Sequence, residues 1–400
     1  MLNVNARSQR ALVMLHFVDS VGKGVFLSGG TLYFLRVSGL SAAQIGWALS
    51  LSAVAGLVAT LTLGQVADRI GPRVVLASML MLQALGFACY PLAPNFALLM
   101  VAVILVGFGE LGGGPAFGSY VSELHEPDQR VHARAVLRTA FNVGFSLGSG
   151  VAAIAAFAGD AWLSSLPLVA AIFLAGSALC TGLLPHVAPT GSGGAVFTAA
   201  RDVRYLTVIL LQFPLALHYS MLIVGIPLWL SAETDLPDGF APAMLIVNTV
   251  LAVLFQIPLS KNVKTTEDAR LAARTASCVI AVSCLTLSLT GTVNTGLAAV
   301  ALVVAVGLLT LGEIRQGASA WGLAHGLAPD SSRAEYLGTF NLYSVVQGIV
   351  GPILISTSIG SLGAFGWILP CILILVAGFL TPWAVTSFVH SRIDSMGDTV

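Results

Sequence analysis

Charge is what this chain lacks most. Its 18 basic and 18 acidic side chains make up 9% of 400 residues, where a soluble domain carries about 25%. The net charge is zero, which gives no hint of a nucleic-acid partner, and none is expected. Cysteine is scarce too. Cys89, Cys180, Cys278, Cys284 and Cys371 all lie in apolar runs without CxxC spacing, so they read as small core residues, not as a disulfide or metal framework. There is no GxxxxGK[ST] loop, which argues against ATP as the energy source, and no HExxH or Ser/His/Asp arrangement stands out. No enzyme, cofactor or metal site is therefore expected. The basic N-terminus, MLNVNARSQR, leads into an apolar run too long for a signal-peptide core, which Asp19 and Lys23 would interrupt anyway.

Apolar residues fill the space that charge leaves. They make up 56% of the chain, and its mean hydropathy is +0.91, the composition of an integral membrane protein. Spanning runs recur at about 11–35, 42–63, 74–94, 97–121, 133–157 and 161–184, and again at 205–230, 240–260, 270–291, 296–322, 335–358 and 363–388. The expected fold is all-α, with twelve transmembrane helices in two six-helix halves, 1–184 and 205–400. Between them 185–204, rich in Pro, Gly and Ser, reads as a cytoplasmic linker. The expected state is a monomer in the lipid bilayer.

Basic residues orient the spans. With the N-terminus cytoplasmic, the inner segments hold 14 of the 18 Lys and Arg residues, the outer segments only Arg36, and the helices Lys23, Arg138 and Arg315. The outer segment SAETDLPDG is acidic through Glu233, Asp235 and Asp238. Both termini are expected on the cytoplasmic side of a cell membrane. Trp162, Trp229, Trp321, Trp367 and Trp383 fall near span ends, as an interfacial belt would.

The halves also echo one another. A shift of 203 residues lays FGEL (Phe108 to Leu111) on LGEI (Leu311 to Ile314), Arg130 on Arg333 and Gly148 on Gly351. A parallel repeat of six-helix halves is a known way to build a transporter.

Between the second and third spans lies GQVADRIGPRVVL, Gly64 to Leu76. It resembles the signature loop of the major facilitator superfamily, matching at Gly64, Ala67, Asp68, Arg69, Gly71 and Arg73. Asp68 can cap a helix start, and the arginines can grip carboxylates or helix C-termini nearby. The resemblance implies a conformational latch stabilising the outward-facing state, with Glu123, at the inner end of helix four, as its carboxylate partner. FQIPLSKNVK, Phe255 to Lys264, is a worn second copy. The drug/proton antiporter subgroup is matched less well. Helix four has ELGGGPAF, with Glu110 where that group has arginine, and helix five has NVGFSLGSG without the group's proline.

In this family helices one, four, seven and ten line the cavity. Midplane ionisable residues fall on those four: Asp19 and Lys23 on helix one, Glu110 on four, His218 on seven, Glu313 and Arg315 on ten. Such groups are too costly to face lipid. His16, Asp19 and Lys23 share one helical face, with Asp19 four residues before Lys23, the favoured order for an ion pair. Two readings stay open there: a static pair, or one that exchanges for a proton or substrate. Glu110 and Glu313 are candidate proton or substrate sites or structural acceptors, and His218 is either functional or satisfied by a backbone carbonyl. Arg138, nearer the inner end of helix five, could meet Glu110 or Glu123. Glu313 and Arg315, two apart, need not pair.

These readings point to a secondary transporter with a small-molecule substrate and protons as partners, exporting organic or drug-like compounds. An uptake symporter or uniporter for a sugar, organic acid or peptide is the alternative, and a non-transporting membrane sensor a third. The topology has a direct check. A cysteine introduced at Asp235 should react with an impermeant maleimide in intact cells, and one at Lys264 only after lysis; the reverse pattern would invert the orientation.

Overall fold

The computed structural model describes residues 6–124, 130–185, 202–328 and 333–397. Among these residues the long helices, taken in order, number twelve. They are α1, Ala6–Leu32 with a π turn Tyr33–Val37; α2, Ala42–Ile70; α3, Pro72–Cys89; α4, Phe96–Gly112 continued by Gly114–Glu123; α5, Arg130–Ala158; and α6, Leu166–Cys180, preceded by a short turn Asp160–Leu163. Then follow α7, Val203–Leu215 continued through Met221–Gly225 to Ile226–Glu233; α8, Phe240–Ser260; α9, Thr266–Leu289; α10, Thr295–Leu327; α11, Arg333–Phe340 and Leu342–Leu362; and α12, Ile368–Gly397. The expected spans coincide with these helices. By length and hydropathy alone only 11 candidates separate, because Leu342–Val389 forms one apolar stretch of 48 residues. At about 1.5 Å per residue it would be about twice too long for a single crossing. The 3-10 segment Gly363–Trp367, with Gly363 at φ +52°, divides it into α11 and α12.

Polar side chains sit where helix ends need them. Ser41 and Gln44 form a capping box on α2, and Thr265 and Asp268 another on α9. Asn95 and Asn294 cap α4 and α10, each accepting an amide N–H at 3.0 Å.

Contacts divide the chain into two units, Met1–Gly194 with Asp238–Ile246, and Ala195–Pro237 with Val247–Val400. The linker expected at 185–204 falls largely outside the described residues. Within the first unit α1 is clasped by α5. A Cβ at Gly24 would strike the carbonyl of Phe145, one at Gly144 would lie 2.7 Å from the Phe17 carbonyl oxygen, and one at Gly148 would strike that of Val21. Small residues at such crossings let helix backbones touch, the main source of attraction between helices in lipid. The 203-residue offset recurs as packing. Gly109 sets α4 on α3 at Met79 and Gln83, while Gly312 sets α10 on α9 at Ile280. Likewise Gly148 meets α1 and Gly351 meets Ser220 on α7.

At the end of the first unit where α1 turns into α2, Arg36 binds Asp160 and Asp238, each at 2.6 Å. The start of α8 also rests on α5, where Phe157 meets Phe240 edge-on at 5.9 Å. At the opposite end α2 runs on to Ile70, and Gly71, at φ +92°, makes the whole turn into α3 with Pro72 at its first position. That corrects the expected cap: the backbone of Asp68 lies inside α2, and the residue before α3 is Gly71, with no capping side chain. Arg73 does grip a helix end, donating from Nη2 to the Gly182 carbonyl at 2.8 Å. Arg69 is exposed, whereas the surroundings of Gly64 and the side chains of Asp68, Glu123, Arg130 and Arg333 fall outside what the structure describes.

The tryptophan belt holds in part. Trp162, Trp321 and Trp383 are exposed, but Trp229 and Trp367 are fully buried in the second unit, 6.1 Å apart edge-on. Trp229 donates to Thr290 at 2.7 Å, so its place near a span end reflects core packing. Cysteines divide similarly, with Cys284 and Cys371 buried and Cys89 and Cys278 exposed on apolar helices.

The glycine clasp is open to test. Gly148→Val should destabilise the protein by about 3 kcal/mol, because rigid α1 backbone cannot yield. Gly176→Ala, whose nearest new contact is Val18 at 3.8 Å, should leave thermal unfolding in detergent nearly unchanged. Equal unfolding temperatures for the two variants would refute the clasp.

Candidate functional site

In the first unit the charges of α1 close on themselves. Lys23 Nζ donates to Asp19 Oδ2 at 2.9 Å, one helical turn apart as the i, i+4 spacing dictates. Asp19 is 4% exposed, and its other oxygen, Oδ1, has no hydrogen-bond donor among the described residues. The glycines flanking Lys23 bring neighbours to backbone distance. A Cβ at Gly22 would meet Phe173 of α6 at 3.0 Å, and Gly24 is the point of contact with α5. Glu110 on α4 lies within electrostatic range of both members of the pair. Three residues later α4 breaks at Gly113, and Pro115 starts its second piece. Gly112 admits Ala59 and Leu63 of α2 there.

His16 lies within electrostatic range of Asp19 and Lys23 and also borders a cavity. Its imidazole stacks on Phe117 at 4.8 Å and on Phe141 at 6.0 Å. Both rings line a cavity of about 510 Å³ with Arg138 and Asn142 of α5, and buried Val121 and Leu137 are also in its wall. That volume suits a drug-sized ligand. Arg138, expected beside Glu110 or Glu123, is thus a cavity residue; the side chain of Glu123 lies outside the described residues.

The second unit has its own polar cluster. Glu313 Oε2 accepts from Asn248 Nδ2 at 2.8 Å, and the same amide group reaches Thr310 at 3.0 Å. Arg315 points elsewhere, as i+2 spacing on a helix requires. It donates to Thr275 Oγ1 at 3.2 Å and 3.1 Å and to the Leu259 carbonyl at 3.3 Å. His218 sits where α7 is interrupted between Leu215 and the π turn Met221–Gly225. Its Nε2 is buried without a partner among the described residues, so a backbone carbonyl does not satisfy that nitrogen. Gln316 lies beside it and Glu313 within electrostatic range. Two residues on, Ser220 accepts from Gln347 of α11 at 2.7 Å. Interruptions of this kind leave backbone and side-chain groups available for ligands.

The family model of the Major Facilitator Superfamily matches residues 12–352. The chain belongs to this superfamily. It is a multi-pass membrane transporter. Over 362 residues, 86% of this chain and 85% of its relative, it is 25% identical to an uncharacterized MFS-type transporter, YhjO, of Bacillus subtilis (strain 168). Among solved structures it resembles the nucleoside transporter NupG, with a TM-score of 0.73 at 15% identity, covering 97% of this chain and 99% of that one. A D-xylose–proton symporter gives a TM-score of 0.70 at 14% identity, covering 93% and 96%.

Several residues now in view escaped the sequence reading. Asn248 was a detectable signal, an amide inside an apolar run, as was Gln316, one position from Arg315. Phe117 and Phe141 were not, because an aromatic residue in a spanning segment reads as core or lipid-facing.

The ion pair makes an energetic prediction. Lys23→Gln leaves a buried carboxylate uncompensated and should cost about 3–5 kcal/mol. Adding Asp19→Asn should recover most of that, read as thermal unfolding in detergent. A double variant no more stable than Lys23→Gln would show that the pair does not set the energetics here.

Proposed function

We propose that this transporter couples the export of small organic compounds to proton entry by alternating access between six-helix halves 1–184 and 205–400, joined through 185–204. The observation that carries the reading is the buried Asp19–Lys23 pair, in which one carboxylate oxygen has no partner among the described residues. A carboxylate so placed is poised between two stable states: ionised against Lys23, or protonated with Lys23 released to another anion. Glu110 stands within range to take that role. On export, substrate leaves outward as a proton reaches Asp19 or Glu110 from outside and is later delivered to the cytoplasm. Glu313, held by Asn248, and His218 supply a second protonatable group and an orienting group for substrate. Arg69 and Arg73, with Gly64, Asp68, Gly71 and Glu123, form the inner latch, and the Arg73–Gly182 contact supports that role. The largely apolar, aromatic cavity beside His16 favours amphipathic cargo over sugars.

One observation favours a second reading, uptake of a polar, hydroxylated solute with protons. Ser220, Gln347, Gln316 and Asn248 offer neutral donors and acceptors suited to such a solute, and the D-xylose–proton symporter shares the fold.

Vesicle transport separates these readings. A compound that raises the unfolding temperature of the purified protein would be loaded into proteoliposomes and its flux followed under pH gradients of either sign. Asp19→Asn, Glu110→Gln and Glu313→Gln should each lower gradient-driven flux at least tenfold. Normal flux in all three would overturn proton coupling through these groups, and accumulation with inward proton flow would favour uptake.

A further inference from the structure

We infer that Cys284 and Cys371 form a dithiol site in the second unit, which a small peroxide converts reversibly into a disulfide stapling α9 to α12. The packing of these helices sets the two residues opposite one another. Ser288 Oγ of α9 donates to the Ala364 carbonyl at 3.0 Å, in the 3-10 segment that leads into α12. Further along the seam, a Cβ at Gly378 would strike the side chain of Ser277. The helices therefore run antiparallel here, residue numbers rising on one as they fall on the other. Seven residues, about two turns, return a helix to the same face. Seven positions on from Ser277 is Cys284, and seven back from Gly378 is Cys371. Cys371 Sγ lies 3.9 Å from the Ala281 carbonyl, one turn before Cys284, which gives the same register independently. The two thiols act on one another as hydrogen-bonding partners.

A disulfide needs Cα atoms within about 7 Å of one another. Small residues along this seam, Ser277, Ala281 and Gly378, bring the two backbones nearer than larger side chains would allow. Cys278 follows Ser277 directly but is exposed, on another face of α9. Burial divides the roles. Cys284 is 0% exposed and Cys371 7%, so an oxidant reaches Cys371 first and Cys284 resolves it. The Cys371 sulfur attacks a peroxide oxygen, the O–O bond breaks, and the thiol proton leaves with the departing hydroxide as water. The Cys284 sulfur then attacks the resulting sulfenic sulfur, the S–O bond breaks, and its proton leaves with that hydroxide as a second water. Two thiols are oxidised and one peroxide is reduced. Both helices belong to the second unit, and the cysteines are 87 positions apart in the chain. A link across so long a loop restricts the unfolded chain and stabilises that unit.

Peptide mapping of the protein in nanodiscs tests the site. Purified protein, reduced and freed of reductant, is treated with graded hydrogen peroxide, blocked with a maleimide under denaturing conditions and analysed by mass spectrometry. The unaltered chain should yield a Cys284–Cys371 linked peptide at a dose at least tenfold below that which oxidises Cys89 or Cys278. Dithiothreitol should release it. The linked protein should unfold about 5 °C higher, a shift absent from Cys284→Ala and Cys371→Ala. Where a variant fails to fold, the linked peptide from the unaltered chain decides the matter. Free thiols at both positions when Cys89 or Cys278 is already oxidised would overturn the dithiol site. So would sulfinic acid at Cys371 in place of the link, or a link from Cys371 to Cys278. A linked chain that unfolds no higher than the reduced one would overturn the stapling.

Discussion

A carboxylate within a bilayer has to be answered by a proton, a cation or a hydrogen-bond donor, and the arrangement of the polar residues follows from that demand. Asp19 is answered by Lys23 on its own helix, and Glu313 by the Asn248 amide. Arg315, the corresponding problem in cationic form, is spread over Thr275 and the Leu259 carbonyl. Each solution uses donors or acceptors held on regular helices, where backbone groups already satisfy one another. Among the described residues, Asp19 Oδ1 and His218 Nε2 are two of the buried polar atoms that this demand leaves unanswered.

Packing makes those pairings durable. Gly22 and Gly24 bring α6 and α5 against α1 on either side of Lys23, so the backbone that carries the ion pair is fixed. The same small-residue logic appears at Gly109 and Gly312, and at Gly148 and Gly351. The repeat is thus conserved in how helices approach one another more than in which polar groups they carry. Glu110, on an interrupted α4, lies near an ion pair, whereas Glu313, on an unbroken α10, meets an amide of α8.

Much of this was legible in the sequence because bilayer physics leaves few options. Run length located the helices, and i, i+4 spacing gave the Asp19–Lys23 contact. The i+2 spacing separated Glu313 from Arg315. What escaped depended on tertiary geometry. Trp229 and Trp367 lie near span ends yet meet in the core, since depth along a helix says nothing of the direction a side chain faces. Phe117 and Phe141 stack on a histidine more than 100 positions away in the chain, a proximity that no local pattern encodes. Asp68 was read as a cap because the motif looks like a loop, but Gly71 alone can turn the chain and lets α2 run through it.

The first contact unit is not one continuous stretch of chain. Residues Asp238–Ile246 belong to it, bound through Arg36 and Phe157, although they follow the linker by more than thirty positions. Severing the chain within 185–204 would therefore yield an amino-terminal fragment missing part of its own packing, with Arg36 keeping Asp160 but deprived of Asp238. Two fragments joined again from a cut after Ile246 would each retain a different share of α8. The point at which this protein divides most cleanly as a folded object is not the point at which its gene would be divided by eye.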